Sequence, residues 1–245
     1  MNIEVPLPDL DEQRRVANTL DALLRRFDTV RQLQLRSSEI FSALAESLID
    51  SAISTVAELQ QVDEIMRLVR KPIDIDAASR YRVIGARSFG KGVIFYPPTR
   101  GDELSKLSYF QLPSDALLLS NIKAWEGAIS VTTKEIANDF VASNRFLSYL
   151  PVDDRVNTSY LRHYFLSQRG LAQISAASPG GADRNRTLGR QRFEALTIPL
   201  PPRAEQDRIA AILDGLADRL ERARANPAVE ALRPAILNAA FTGQL

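Results

Sequence analysis

The sequence holds no cysteine, a single histidine, a single tryptophan and two methionines in 245 residues. Without cysteine there is no disulfide and no thiolate-held zinc or iron–sulfur site. One histidine is too few for the paired histidines of a zinc hydrolase. Long apolar runs are also missing. None approaches 18 residues, and Asp9, Asp11, Glu12, Arg14 and Arg15 break up the N-terminal region. The sequence therefore predicts neither a membrane span nor a signal peptide, and a cytoplasmic protein. What is present is ordinary for a globular chain: 45% hydrophobic and 25% charged residues, enough for one large domain or two modest ones.

The net charge of +1 hides a split. Residues 62–198 carry 19 lysines and arginines against 14 acidic residues, an excess of +5, and the two flanks together carry −4. A basic middle between mildly acidic ends fits a segment that meets a polyanion, or an ordinary solvated surface.

The chain repeats itself. Val5-Pro-Leu-Pro-Asp-Leu-Asp-Glu-Gln-Arg-Arg-Val-Ala-Asn-Thr-Leu-Asp21 matches Ile198-Pro-Leu-Pro-Pro-Arg-Ala-Glu-Gln-Asp-Arg-Ile-Ala-Ala-Ile-Leu-Asp214 with nine identities in seventeen positions. A weaker echo pairs Leu48–Ile53 with Ile236–Phe241. Each copy opens on an extended Pro-Leu-Pro stretch, because proline fixes φ and keeps its predecessor out of the helical region. In the first copy Asp9 or Asp11 can then cap a helix. Helices are expected to begin near residues 10 and 203.

Downstream of the first copy, Val16, Leu20, Leu23, Phe27, Val30, Phe41, Leu44 and Leu48 fall mostly at alternating steps of three and four, the spacing of a coiled-coil seam. Gln34 and Ser37 sit where the seam should continue and mark a polar interruption or a break. After the second copy, Ile209, Ile212, Leu213, Leu216 and Leu220 form a shorter stripe. The Asn226-Pro227 and Arg233-Pro234 steps interrupt it. The expectation is a helix over 203–224, a break, and a last helix over 228–241 that carries Ile236 and Phe241 and is closed by Gly243. A long amphipathic helix needs a partner, and the second copy of the repeat is the obvious one.

The middle reads as an α+β module. Short β-like runs lie at 81–84, 92–96, 116–120, 128–132 and 146–150, separated by glycine and proline turns. Residues 159–171 read as one helix with Leu161, Tyr164, Phe165 and Leu166 inward. The expected division is a helical region over 1–60, a globular domain over 61–198 and a second helical region over 199–245.

These residues resemble the DNA specificity subunit of type I restriction–modification systems over nearly the whole chain. The two Pro-Leu-Pro…Glu-Gln copies carry the likeness most strongly. The terminal Leu232–Leu245 segment, Asn121-Ile-Lys-Ala-Trp-Glu-Gly-Ala128, Ser143-Asn-Arg-Phe146 and Ala177–Leu188 add to it. The resemblance implies a target-recognition domain of mixed α/β type, flanked by long helices that form an antiparallel coiled coil. It implies double-stranded DNA and methyltransferase (modification) subunits as partners, with the restriction subunit as a further one. It implies no catalysis, no cofactor and no metal in this chain. The family pattern has two recognition domains. This chain has one between two helical regions and so resembles a half-subunit, a natural one or part of a longer gene, for which a homodimer reading an inverted-repeat bipartite site is an expectation.

Base readers need cations for phosphates and Arg, Lys, Asn, Ser or Thr for base edges. On that ground Arg87, Ser88 and Lys91, then Lys123 and Trp125, then Asn144 and Arg145, and lastly Ser178, Arg184, Asn185, Arg186 and Thr187 are expected at the DNA. Trp125 reads first as core packing and second as a DNA contact, and His163 as structural or solvated. Two enzyme-like patterns fall short. The Gly85…Gly90-Lys91-Gly92 run lacks the hydroxyl residue of a phosphate loop. Phe95-Tyr-Pro-Pro98 lacks the polar first residue of the adenine methyltransferase motif. Two readings compete with DNA specificity: a truncated interaction protein that binds modification or full-length specificity subunits without reading DNA, and a single-chain modification enzyme.

Overall fold

The computed structural model describes residues 9–56, 58–180, 186–224 and 227–241. In chain order the elements are α1 (Leu10–Val56), β1 (Glu58–Gln61), α2 (Val62–Ile65), β2 (Met66–Leu68), β3 (Lys71–Ile73), β4 (Arg80–Tyr81), β5 (Ile84–Ala86), β6 (Val93–Phe95), β7 (Thr99–Arg100), β8 (Tyr109–Gln111) and β9 (Leu117–Ser120). They continue with β10 (Ile129–Val131), α3 (Lys134–Asp139), β11 (Val141–Ser143), β12 (Phe146–Pro151), α4 (Thr158–Leu166), α5 (Gln168–Ala176), α6 (Arg190–Glu194), β13 (Thr197–Leu200), α7 (Arg203–Arg224) and α8 (Pro227–Phe241). The class is α+β. The chain divides into two compact units, residues 1–43 with 215–245, and residues 44–214.

In the helical unit α1 starts where the sequence predicts. Of the two capping candidates Asp9 is used: its Oδ1 accepts the Glu12 backbone N–H at 2.8 Å. The helix does not break at its polar interruption. Ser37 donates to the Leu33 carbonyl at 2.8 Å, Gln34 donates to the Ala223 carbonyl at 3.3 Å, and Arg224 donates to the Ser38 hydroxyl. These three side chains satisfy themselves along or across helices, so the seam turns polar without a kink. Val16, Leu20, Leu23, Phe27, Phe41, Leu216 and Leu220 are half-buried and Ile236 is buried.

Two members of the expected seam depart from it. Val30 is 37% and Leu44 36% exposed. A 3.5-residue repeat drifts by about 20° per heptad on an α-helix of 3.6 residues per turn, so a stripe this long leaves the face that a shorter partner covers. In α8, Pro227 takes the first helical position, where its missing N–H costs nothing, and Pro234 lies inside the helix. The extended Val5–Pro8 stretch and the Gly243 cap lie outside the described residues, as does the Phe241 side chain.

The globular unit is built on a four-stranded antiparallel sheet in the order β10-β9-β12-β2. Leu117, Leu118 and Leu119 of β9 are all buried, as a central strand covered on both faces requires. On one face Leu118 joins Ile84, Leu112, Ile136 and Ala142 in a small core. A second core holds the aromatic chain Tyr149–Phe193–Phe165–Tyr164, whose ring centroids lie 5.0, 5.3 and 5.3 Å apart. A three-stranded sheet, β11-β8-β3, and three two-stranded ribbons, β1-β13, β4-β7 and β5-β6, complete the unit. The second Pro-Leu-Pro stretch is strand β13, with Pro199 opposite Leu59 in a ribbon whose outer edge needs no donor.

Residues 159–171 form parts of two helices rather than the one expected. Ser167 sits between them with extended backbone, its Oγ accepting the Gly170 N–H at 3.2 Å and donating to the Tyr164 carbonyl at 2.7 Å. That geometry caps α5 and ends α4 together. Leu161, Tyr164 and Phe165 point inward as predicted, and Leu166 is half-buried.

The first turns of α7 belong to this unit. Ile209, Ala210 and Leu213 are buried, and Gln206 is fully buried. Gln206 donates to the carbonyls of Arg155 (2.9 Å) and Pro201 (2.7 Å) and accepts the Asn157 N–H (2.9 Å). Asn157 caps α4 and donates to Asp207 at 2.7 Å. Two turns on, Asp214 accepts from Ser159, from His163 at 2.7 Å and from Arg162 at 3.4 Å.

Candidate nucleic-acid interface

A cleft of about 770 Å³ opens in the globular unit. Its walls come from three loops that the backbone ties together. The first is the β5–β6 hairpin loop, closed by Arg87 N–H donating to the Gly92 carbonyl at 2.9 Å. Turning this loop requires positive φ at Phe89 (62°), Gly90 (66°) and Gly92 (79°). The second is the turn 121–127 after β9, which receives the hairpin: Phe89 N–H donates to the Glu126 carbonyl at 2.7 Å and Gly90 N–H to the Gly127 carbonyl at 2.9 Å. The third is the β11–β12 turn. There Asn144 N–H donates to the Ser108 carbonyl at 2.8 Å, and the Arg145 carbonyl accepts from Asn121 at 2.8 Å.

This arrangement gathers Arg87, Lys91, Lys123 and Arg145 around one opening, and among the described residues none that lines it is acidic. Lys123 pairs with Glu126 at 3.0 Å, and Ser88 donates to the same carboxylate at 2.5 Å. Those hydrogen bonds, Ser88 first and Lys123 second, hold the Glu126 carboxyl below its usual range. Glu126 thus stays ionised and orders the floor between the two loops. Among the described residues Arg87 and Arg145 have no side-chain hydrogen bond or ion pair, so their charges face solvent. Hydroxyls of Ser105, Ser120 and Ser143 and the side chains of Phe89, Tyr96 and Ile122 fill the rest. Cations, hydroxyls and aromatic faces in one groove are the equipment for phosphates, base edges and base planes.

Of the residues expected at DNA, the structure brings Arg87, Ser88, Lys91, Lys123 and Arg145 to this cleft. Asn144 lies half-buried in the same turn as Arg145. The segment 186–188 adjoins the turn 121–127, since Leu188 N–H donates to the Asn121 carbonyl at 2.7 Å. Arg186 is spent on the protein. It lies 5.0 Å over the Trp125 ring and donates to the Ser175 carbonyl (2.8 Å) and the Ser178 carbonyl (3.3 Å). Trp125 is half-buried beneath it and donates to the Ile122 carbonyl at 3.2 Å. Ser178 leaves the set: it is 1% exposed and its hydroxyl donates to the Ile174 carbonyl, so no ligand reaches it. Thr187 is exposed, and Arg184 and Asn185 lie outside the described residues.

Sequence reasoning missed Phe89, Tyr96, Ile122 and the three serines. Their types carry no signal alone. The Ser-Phe-Gly-Lys-Gly run at 88–92 could have marked a loop tip, because two glycines so close announce a tight turn. His163 is structural as expected. Among the described residues no cluster of acidic or histidine side chains is able to hold a metal, and no helix is long and apolar enough to cross a membrane.

No curated protein matches the chain. Solved structures do. A chain from a structural study of complex assembly and conformational transition in the type I restriction–modification system is 20% identical, with a TM-score of 0.58 over 98% of this chain and 62% of that one. The type I restriction–modification S subunit from M. genitalium is 12% identical, with a TM-score of 0.55 over 95% of this chain and 61% of that one. Both likenesses are of fold, and this chain spans about three fifths of the length of either. The family model for the type I restriction modification DNA specificity domain matches residues 57–230. That stretch holds all three cleft loops and most of the chain, and on it the protein belongs to the type I restriction–modification DNA specificity family.

Proposed function

We propose that the chain is a non-catalytic DNA specificity subunit. Its globular unit reads one half-site of double-stranded DNA through the cleft face, and its long helices dock the methyltransferase subunits. The observation that carries this reading is the convergence of Arg87, Lys91, Lys123 and Arg145 on one opening whose described lining holds no acid, in a member of a DNA specificity family. Cations in such a concave place concentrate field and attract a polyanion. Enrichment of duplexes from a randomised pool, with the methyltransferase subunit present, tests it. A single short motif is expected. A pool that stays random while the chain still binds the methyltransferase favours the interaction protein without DNA reading.

The repeat favours a second element of this reading, a second copy of the chain in the assembly. Gln206, Ile209, Ala210 and Leu213 are buried against the globular unit, and Asp214 bonds to α4. Their counterparts Gln13, Ala17 and Asp21 are exposed, and Val16 and Leu20 are half-buried. Among the described residues, the face that seats a recognition domain in the second copy of the repeat is less covered in the first. A second chain's globular unit fits that face, giving a two-fold assembly that reads an inverted repeat. Light scattering of the chain, alone and with methyltransferase, is expected to give two copies per complex. One copy per complex would remove the dimer and leave the half-site reading standing.

A further inference from the structure

We propose that Phe89 is a wedge that enters the base stack of the bound duplex. This rests on the DNA-reading proposal above and assigns the rim of that cleft a residue with a specific action. Phe89 is 76% exposed, the highest value among the large apolar side chains described. It also holds φ at +62°, a left-handed conformation that a side chain with a Cβ disfavours. An ordinary loop would place glycine or asparagine there and avoid both costs.

The surroundings enforce the arrangement instead of relaxing it. Phe89 N–H and Gly90 N–H are bonded to the carbonyls of Glu126 and Gly127 at 2.7 and 2.9 Å. A Cβ on Gly90 would lie 2.9 Å from a Leu166 methyl, and one on Gly127 would lie 3.4 Å from the Phe89 backbone. The tip is thus clamped between the turn 121–127 and α4, with the ring directed away from both cores. Ser88, one residue earlier, is fixed to Glu126. Strain that persists because its surroundings over-determine it is characteristic of sites that grip a ligand.

The chemistry beside the ring selects the ligand. Lys91 Nζ is 5.7 Å from the ring centroid, and Arg87 opens onto the same cleft. A ring with one cation beside it, on the rim of a cleft that a second cation lines, suits a base plane next to backbone phosphates. Apolar wedges that unstack a base step bend the duplex and open more of it to contact. A protein partner would also accept an exposed phenylalanine, but Lys91 beside the ring and a cleft lined by cations, with no acid among its described lining residues, favour a polyanion.

The test uses the full chain with its methyltransferase subunit, and duplexes enriched from the randomised pool with 2-aminopurine placed at successive positions. With the wild-type chain, fluorescence should rise on binding at one step only, where the stack opens. Phe89→Ala should abolish that rise and weaken binding about tenfold; Phe89→Trp should keep both. Phe89→Gly fits the observed φ, so it should bind as weakly as Phe89→Ala while unfolding at no lower temperature than wild type. Wild-type affinity and an unaltered fluorescence rise in Phe89→Ala would overturn the wedge and leave DNA reading intact. Loss of methyltransferase binding with unchanged DNA binding in that variant would overturn it in favour of a protein contact. A wild-type complex that binds no duplex would overturn the DNA-reading proposal and the wedge with it.

Discussion

The Gln206 carboxamide has all three of its hydrogen bonds to backbone groups and no exposure to water. Replacing it with leucine, of similar size, would strip this partner from the buried Pro201 carbonyl and from the part-buried Arg155 carbonyl and Asn157 N–H. Each such group costs about 1–3 kcal/mol. Gln206→Leu should therefore destabilise the globular unit by roughly 3 kcal/mol, read as a lower urea midpoint. His163 offers a second test, simplified by being the chain's one histidine. Burial pushes its pKa below 6.5, the hydrogen bond to Asp214 pulls it up, and Arg162 pushes it down; the net direction is down. Burial would raise the Asp214 carboxyl, but hydrogen bonds from His163 and Ser159 outweigh it and hold it below its usual value. In the unfolded chain the imidazole takes a proton at its ordinary pKa, and in the folded chain only at lower pH. The unfolded state thus binds more protons in that window, and stability falls as pH drops from about 7 to 5. Asp214 extends the loss at still lower pH: its contribution is present above its unfolded pKa and disappears as pH falls through its lower folded value. Unfolding curves at pH 7 and pH 5 should show the fall, and His163→Gln should flatten it. A fall of equal size in His163→Gln would assign it to other groups.

At the scale of elements, the α4–α5 junction shows what a linear reading leaves out. Gly170 lies within the single helix expected over 159–171. In the structure a Cβ there would lie 2.1 Å from the Tyr164 carbonyl oxygen and 2.5 Å from the Phe165 Cα. Both contacts are with backbone that cannot swing aside. Gly170→Ala should cost about 3 kcal/mol or abolish soluble expression, since overpacking against rigid neighbours forces them apart. The gain in helix propensity from alanine, about 1 kcal/mol, is too small to offset this. The elements that were legible were those with local causes. α1 and α7 announce themselves through three-four spacing, α1 through a capping acid as well, and β9 and β12 through apolar runs that belong at the centre of a sheet. β3, β7, β8 and β11 were not legible. They are two or three residues long and mostly half-exposed, and their pairing is long-range, as with Lys71–Ile73 against Tyr109–Gln111. The site followed the same division. Arg87, Lys123 and Arg145 could be named from residue type. That they share one cleft depends on backbone bonds from 89 to 126 and from 121 to 145 that no sequence window contains. Ser178 was misplaced for the converse reason: its polar type suggested a surface, and its position after α5 buried it.

For the whole molecule the charge split acquires a location. The +5 excess of residues 62–198 includes four cations that open onto one cleft, three of them without ion pairs among the described residues. If they meet DNA phosphates, each releases a counterion, and log K against log salt gains a slope of about −0.9 per contact. Arg87→Ala combined with Arg145→Ala should then lower that slope in magnitude by about 2 and weaken specific and random duplexes alike. Lys123 is held by Glu126, so Lys123→Ala should change the slope less than either arginine variant does. Suppose instead that Arg145 reads a base edge, as a bidentate arginine reads guanine. Its variant would then relax the selected motif at one position by about 1–3 kcal/mol while leaving affinity for random duplex nearly intact. Measuring both duplexes across a salt series separates the two roles, because phosphate contacts act on every sequence and base contacts on one. A salt slope unchanged in the double variant would place the DNA on another face of the globular unit. The first face to examine would then be the one carrying the exposed Thr187.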